Sequence, residues 1–217
     1  MTTNATIEKL IQRQIHQWHR YRQFLQDHQA AGPAARRPII TISRERGCGG
    51  RELAESLAGC LGLEVHGVSL IDHIARNEEL EREIVAALDE QARSQVELWV
   101  KGVLGRRIYL RDNYHVSLVK AVRTLAAHGG VVFVGRGANL ILEDRCDLRV
   151  LLVASTKTRI RNLQRTEDID EKTARGRTLQ ANLDRQEFIM TMFHVEANDP
   201  RNYDLVVNVD ELPVAGA

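Results

Sequence analysis

The stretch PIITISRERGCGGRELAESLAGCLGL, which runs from Pro38 to Leu63, decides how the fold of this chain is interpreted. Pro38 to Ser43 is a β-branched run without alternation, which is typical of a parallel strand buried on both faces. The glycines between Gly47 and Gly50 favour a tight turn, and Arg51 to Leu61 repeats apolar residues at helical spacing. A strand, a glycine-rich turn and a helix in this order predict a loop that binds phosphate through backbone N–H groups.

The common phosphate-loop motif GxxxxGK[ST] nevertheless fits this stretch poorly. Set on the sequence, it places Arg44 at the first glycine, Gly50 at the lysine and Arg51 at the hydroxyl residue. Only Gly49 matches. Arg44, Arg46 and Arg51 could replace the missing lysine, because a guanidinium can clamp phosphate oxygens with two N–H groups. The alternative is that these arginines only solvate an exposed loop.

The rest of the chain alternates strands with helices. Further apolar strands are predicted at GLEVHG, GGVVFVGRG, DLRVLLVAS and YDLVVNVD. Residues 70–127 are helical in pattern, with breaks near Asn77, Gly102 to Gly105 and Asp112, and Ser155 to Phe193 is arginine-rich and helical. This order predicts an α/β fold with a parallel sheet covered on both faces.

The N-terminal region is interpreted as an extension. Apolar residues from Ile7 to Leu25 stand three or four apart, which predicts an amphipathic helix over residues 5–28. Glycine and two prolines then indicate a linker, so we divide the chain into 1–37, helix and linker, and 38–217, the main domain. The helix is expected to be a packing arm, or an arm that forms a homodimer. A membrane-surface role is less favoured because its polar face carries both signs of charge.

The composition restricts the class of partner. Thirty Lys and Arg against 29 Asp and Glu leave a net charge of +1, so no overall field attracts nucleic acid or a membrane. Aromatic residues are 5% of the chain, and no aromatic-basic pattern for single strands occurs. Three cysteines without paired spacing, and no apolar run of spanning length, predict a cytoplasmic protein without disulfides. We expect a local anion site, no nucleic-acid partner and no membrane partner.

Four segments, in consistent order and spacing, resemble the cytidylate kinase-like proteins, a bacterial branch of the P-loop nucleoside monophosphate kinases. They read ITISRERGCGGRELAESLAGCLGLEV, LDEQARS, GGVVFVGRGANLIL and DPRNYDLVVNVD, and the likeness runs from about Pro38 to Leu212. The loop of this family also has arginines in place of the usual lysine. The resemblance implies a three-layer α/β/α P-loop kinase fold, with a helical insertion that binds the monophosphate and an arginine-bearing lid.

The resemblance also implies roles for single residues. Gly135 and Arg136 match a Gly-Arg pair that contacts the acceptor, although Gly137 stands where relatives carry an acid. Lid arginines would neutralise the transferred group; otherwise they form a solvated helix face. The implied nucleotide- and phosphate-binding residues are Arg44, Gly47, Cys48, Gly49, Gly50, Arg51, Gly135, Arg136 and Arg185, and the implied catalytic residues are Arg51, Arg159, Arg161 and Arg165.

Several carboxylates of the family pattern are missing from this chain. Gly67 and Ser69 stand where relatives carry acids after the second strand, and Val134 ends the VVFV strand where a magnesium-orienting acid is expected. Asp72 could substitute, or it could be a helix-surface residue. Asp89 and Glu90 match the family and either lie near the pocket or cap a helix.

Two functions therefore stay open. The first is a kinase that uses ATP as donor, with Mg²⁺ as a possible cofactor, and phosphorylates a nucleoside monophosphate such as CMP or a similar small acceptor. The second is a catalytically weak or inactive nucleotide-binding regulatory protein of the same fold, which the missing carboxylates and the N-terminal extension favour.

Overall fold

The computed structural model describes residues 4–27, 37–106, 113–143 and 145–211. Its strands are β1 (Ile39–Arg44), β2 (Glu64–Gly67), β3 (Val131–Val134), β4 (Leu148–Val153) and β5 (Leu205–Asn208). Within these residues the strands form one sheet in the order β2-β3-β1-β4-β5, and every neighbouring pair is parallel. The parallel α/β sheet that the sequence predicts is confirmed.

Helices connect these strands. They are α1 (Asn4–Asp27), α2 (Gly50–Leu61), α3 (Val68–Ala75), α4 (Glu78–Ala86), α5 (Glu90–Arg106), α6 (Asn113–Ala126), α7 (Ala138–Ile141), α8 (Thr156–Glu167) and α9 (Glu171–Phe193). Within the described ranges, none of them is both long enough and apolar enough to cross a bilayer.

The helix breaks are only partly those predicted. The break near Asn77 is confirmed, because the Asn77 side chain caps α4 by accepting the N–H of Glu79 at 3.0 Å. The break at Gly102 to Gly105 is wrong: α5 continues to Arg106, and a glycine inside a helix costs only about 1 kcal/mol. The break near Asp112 lies outside the described residues. Asp170 caps α9 and divides the arginine-rich segment in two, which the apolar pattern did not indicate.

Helices cover both faces of the sheet. Successive side chains of β1 point to opposite faces, and each face packs into a separate hydrophobic core. Ile39 lies in a cluster with buried residues of α3 and α6, such as Ile71 and Leu118. Ile40 lies in a second cluster, on the opposite face, with Leu53 of α2. β1 is the central strand, where Ile40 is paired with Val132 on one side and Leu148 on the other. The three-layer α/β/α arrangement is therefore present, and the loop after β1 opens at its centre.

Helix α1 packs onto this core and is not an isolated arm. Its apolar residues Ile7, Ile11 and Trp18 are buried in the same cluster as α3 and α6. The polar face of α1 also reaches two other elements: Arg13 donates to Glu64 of β2 at 2.7 Å, and Gln12 donates to Glu83 of α4 at 2.7 Å. A homodimer through this helix stays a prediction, and the apolar side chains of Ile7, Ile11 and Trp18 are already covered in the single chain. The predicted linker lies largely outside the described residues.

This packing predicts that α1 stabilises the whole chain. Ile11 is 2% exposed, so Ile11→Ala is expected to lower the free energy of unfolding by about 3 kcal/mol through lost burial and a cavity. Urea denaturation followed by circular dichroism measures it. Glu8→Ala, on the exposed face of the same helix, serves as control and is expected to change stability by less than about 0.5 kcal/mol. Equal stability of the two variants would contradict the packing.

A second prediction concerns His66, which is buried in β2 with its ring 5.5 Å from that of Phe133. Burial lowers the pKa of His66 to about 4, so the folded protein binds no proton there while the unfolded chain does so below about pH 6.5. Stability therefore falls as the pH drops through this window. Between pH 7 and pH 5, the parent is expected to lose roughly 2 kcal/mol more unfolding free energy than His66→Phe. Urea titrations at both pH values test it, and parallel losses would exclude a buried neutral histidine.

Candidate functional site

The glycine-rich turn between β1 and α2 leaves the start of α2 open. Gly49 is the N-cap residue, its backbone is left-handed with φ 74°, and it has no side chain with which to cap the helix. No acceptor among the described residues receives the N–H groups of Gly50, Arg51 or Glu52. Free N–H groups at a helix N-terminus, together with the partial positive charge of the helix, are suited to bind an anion.

Helix α8 holds this turn from one side. Gly47 has φ 89°, and a Cβ at this position would lie 2.4 Å from the carbonyl oxygen of Arg159. The side chain of Asn162 donates to the carbonyl of Gly47 at 2.9 Å. Arg159 is buried and lies 3.5 Å from a carboxylate oxygen of Glu45. The close contact of two backbones therefore requires glycine here, and it fixes the loop against the first helix of the predicted lid.

A cavity of about 1100 Å³ lies between the turn, the start of α2 and α8. Its cationic residues are Arg44, Arg46, Arg51, Arg161 and Arg165, and its acidic residues are Glu45, Glu52, Glu167 and Asp210. Two of the acids face arginines: Glu45 is near Arg159, and Glu167 pairs with both Arg46 and Arg177. The charge of the arginines that line the cavity is therefore only partly neutralised by neighbouring carboxylates.

This cavity is suited to bind magnesium only together with phosphate groups, which would supply most of its ligands. No group of three His, Cys, Asp or Glu residues that could hold a metal occurs in the described ranges. Magnesium bound with a nucleotide needs only one or two protein carboxylates, because phosphate oxygens and waters supply its other ligands. Glu52 lines the cavity in the first turn of α2 and makes no ion pair within the described part of the chain. The residues present thus fit a phosphate-borne Mg²⁺.

A second cavity, of about 210 Å³, lies beyond the turn under α9. Four arginines line it, together with one carboxylate and the apolar side chains of α9; the charged residues are Arg44, Arg46, Arg136, Arg185 and Asp184. Arg44 and Arg46 line both cavities. These two arginines therefore mark the place where the two cavities meet.

Arg136 is held in this second cavity by groups of three elements. Its Nε donates to Oδ1 of Asp72 at 2.6 Å, its Nη2 donates to Oδ2 of the same carboxylate, and the Tyr114 hydroxyl donates to Oδ1 at 2.9 Å. The guanidinium also lies 5.2 Å from the centre of the Phe188 ring. Asp72 is thus the partner of Arg136. Sequence reasoning missed Tyr114 and Phe188, since neither lies in the segments that carry the family resemblance.

Arg44 differs from the other loop arginines, Arg46 and Arg51, in its electrostatic surroundings. Burial lowers its pKa to about 10, and the charges of the three other arginines of the smaller cavity add to this effect. Within the described residues its guanidinium makes no ion pair and no hydrogen bond. Arg46, in contrast, pairs with Glu167, and Arg51 donates to Glu55 at 2.8 Å with a side chain 80% exposed. A partly buried cation without a carboxylate partner is suited to bind an anion, which would complete the site.

The remaining predicted residues are placed as follows. Arg185 donates to the carbonyl of Ala197 at 2.8 Å, which fixes it at the wall of the smaller cavity. Cys48 is buried, and burial raises the pKa of its thiol to about 12, so the residue offers its backbone and not a thiolate.

Two other predicted residues lie outside both cavities. Asp89 caps α5 by accepting the N–H of Ala92 at 2.7 Å and lines neither cavity. Arg159, although predicted to act on the transferred group, lies beneath the loop and outside both linings.

A family model described as the cytidylate kinase-like family matches residues 39–211. The chain belongs to this family. The match begins at the first residue of β1 and extends beyond β5, so it includes the turn, both cavities and the arginine-rich helices, whereas α1 lies outside it. A cytidylate kinase-like chain has the fold of the P-loop kinases, and membership supports a nucleotide kinase as its broad class.

Solved structures add to the assignment of fold. An uncharacterized protein from Eubacterium ventriosum ATCC 27560 is similar with a TM-score of 0.60 and 22% identity, over 79% of this chain and 88% of the other. Shikimate kinase from Bacteroides thetaiotaomicron is similar with a TM-score of 0.43 and 15% identity, over 80% of this chain and 86% of the other. Of these two likenesses, the first is close enough to show a shared fold. No relative was found among curated proteins.

The contact between the turn and α8 makes a prediction about two glycines. Gly47→Ala is expected to lower the free energy of unfolding by about 2 kcal/mol or more, because a left-handed backbone is strained with a Cβ and that Cβ would overlap Arg159. Gly59→Ala, inside α2 with open space around it, is the matched control and should stabilise by about 0.5–1 kcal/mol. Urea denaturation compares the two, and the same sign for both would contradict the contact.

Proposed function

We propose that the chain is an ATP-dependent kinase that transfers the γ-phosphoryl group to a nucleoside monophosphate such as CMP, or to a similar small phosphate acceptor. The observation that carries the proposal is the junction, at Arg44 and Arg46, of two cavities that are each lined by several arginines. Phosphoryl transfer from ATP to a phosphate acceptor needs two adjoining anion sites, because the attacking and leaving oxygens must lie roughly in line. Membership of the cytidylate kinase-like family supports the same class.

The larger cavity suits the donor. There the free N–H groups at the start of α2 and the backbone of residues 47–50 would hold the phosphates of ATP. Arg51 lines the cavity beside them, and its pair with Glu55 is an exposed one between neighbouring turns of one helix. Such surface pairs contribute at most about 1 kcal/mol, so Arg51 can exchange Glu55 for a phosphate at little cost.

The smaller cavity suits an acceptor that is itself a phosphate. Four arginines and a single carboxylate line it, which favours a doubly charged anion over a neutral alcohol. An ionised phosphate oxygen can attack the γ-phosphorus without a general base, whereas a hydroxyl acceptor needs one. The new bond forms between that oxygen and phosphorus, while the bond to the β,γ-bridging oxygen breaks and its electron pair leaves with ADP. Acceptor chemistry of this kind is compatible with the missing carboxylates.

Arginines of α8 are suited to the charge that develops during transfer. Arg161 and Arg165 are exposed, line the donor cavity and make no ion pair within the described ranges. They would neutralise the equatorial oxygens of the transferred group. Mg²⁺ held by the phosphates and Glu52 would supply further neutralisation. The role predicted for Arg159 stays a prediction, and its buried contact with the turn favours a part in holding the loop.

A regulatory nucleotide-binding protein is the second candidate. It is favoured by the pairing of carboxylates in the larger cavity, where Glu45 and Glu167 face arginines. A protein with this arrangement can bind a nucleotide through backbone N–H groups and arginines without turning it over. Such binding would depend little on magnesium.

A kinetic experiment separates the two candidates. ADP release is measured with ATP, Mg²⁺ and a panel of nucleoside monophosphates, and the parent is expected to turn over at least one of them. Arg161→Met is expected to lower kcat roughly 100-fold with little change in ATP affinity, because its charge acts mainly on the transferred group.

The control for this variant is Arg175→Met, which removes an exposed arginine of α9 that pairs with Glu171 and lines neither cavity. Its kcat should equal that of the parent. If the parent turns over no monophosphate, and calorimetry finds ATP binding that is independent of magnesium, the regulatory protein is the better description. An unchanged kcat in Arg161→Met would remove this arginine from the catalytic set.

A further inference from the structure

We propose that Arg44 is the cation that serves both phosphate sites, and that Gly50 is glycine because the stem of Arg44 passes where a side chain at position 50 would begin. The inference rests on the proposed function and deepens it. It assigns to the end of β1 the charge that phosphate loops with a lysine supply from the first turn of the following helix.

The steric evidence comes from two glycines on either side of the Arg44 side chain. A Cβ at Gly50 would lie 2.8 Å from Cγ of Arg44 and 3.1 Å from its Cβ and Cδ. A Cβ at Gly135 would lie 2.7 Å from Nη1 of Arg44. The stem of Arg44 therefore lies against the first residue of α2, and its head lies against the turn after β3.

The backbone of Gly50 does not itself demand glycine. The positive φ angles of the turn occur at Gly47 and Gly49, whereas Gly50 is outside that group and begins α2 with an ordinary helical backbone. Any residue can adopt that conformation, and lysine is what the common motif places here. The close approach of Arg44 is thus the constraint that the described structure offers for glycine at position 50.

The electrostatic evidence separates Arg44 from the other loop arginines. Arg46 pairs with Glu167 and Arg51 pairs with Glu55, whereas Arg44 has no carboxylate partner in the part of the chain that the structure describes. Arg44 also lines both cavities, so one guanidinium can contact the donor phosphates and the acceptor phosphate together. A cation between two anions reduces the repulsion that opposes their approach.

Replacement of Arg44 by methionine tests the role directly, because methionine keeps an unbranched stem and removes only the guanidinium. The probe is inorganic tripolyphosphate, measured by calorimetry on the full-length chain. Arg44→Met is expected to bind tripolyphosphate about 10- to 100-fold more weakly, as for the loss of charged hydrogen bonds. Its melting temperature should equal or exceed that of the parent, because the substitution removes a partly buried cation that has no carboxylate partner in the described chain.

The matched control is Arg149→Met. Arg149 also belongs to a central strand, near the opposite end of the sheet, and it pairs with Asp204 at 2.6 Å. This control should keep the tripolyphosphate affinity of the parent and should melt at the same or a lower temperature. A structural role for Arg44 predicts the reverse, a lower melting temperature with unchanged affinity, and that result would overturn the proposal.

Substitutions at positions 44 and 50 test the claim that the stem of Arg44 requires glycine at position 50. Gly50→Lys alone is expected to lower the melting temperature and weaken tripolyphosphate binding, because the lysine stem meets Arg44. The double variant Arg44→Gly with Gly50→Lys should recover stability and at least tenfold of the lost affinity relative to Gly50→Lys. A single variant Gly50→Lys that is as stable and binds as tightly as the parent would refute the steric claim.

The outcomes also separate this inference from the proposed function. If the parent turns over no nucleoside monophosphate but binds tripolyphosphate in a manner that requires Arg44, the kinase assignment fails and the role of Arg44 stands. If the parent is active and Arg44→Met keeps both turnover and tripolyphosphate affinity, the role of Arg44 fails and the kinase assignment stands.

Discussion

The charge of Arg44 is the constraint on which the arrangement of the site depends. The Arg44 guanidinium is partly buried and lacks a carboxylate partner in the described chain, so it needs space between its neighbours and an anion that completes the site. Gly50 at the start of α2 and Gly135 after β3 leave space for the Arg44 side chain. The two cavities then meet at this charge, so the position of one side chain links the donor side of the site to the acceptor side.

Much of the fold follows from local sequence. The buried run of β1, the glycine turn and the apolar spacing of α2 are short-range signals, and each agrees with the structure. The ends of α5, and the break before α9, could not be found in this way, because isolated glycines do not stop a helix and a capping Asp170 competes with an uninterrupted helical pattern. The burial of α1 in the main core could not be predicted either, because an apolar helix face does not reveal which surface it packs against.

The candidate site could be predicted only as a set of residue types. The family pattern identifies Arg44, Arg46, Arg51 and Arg136, but their spacing does not reveal which of them is already neutralised. That distinction depends on contacts between distant segments, such as Arg136 with Asp72 and Arg46 with Glu167. Tyr114 and Phe188 complete the surroundings of Arg136 from two further helices. The chemistry of the site is thus decided by tertiary pairing, which one sequence does not display.

Helix α1 has a mechanical consequence for the molecule. Through Arg13 it is tied to Glu64 of β2, and through Gln12 to Glu83 of α4, so it fastens the helices on the acceptor side to the edge of the sheet. Helix α8 is held at its start, where Asp210 accepts the N–H of Ser155 at 2.7 Å, and at the turn, where Asn162 donates to Gly47. The end of α9 is buried in the same core as α1, at Ile189, Met192 and Phe193. Helix α1, which lies outside the family match, thus braces the same core that supports the wall of the smaller cavity at Ile189.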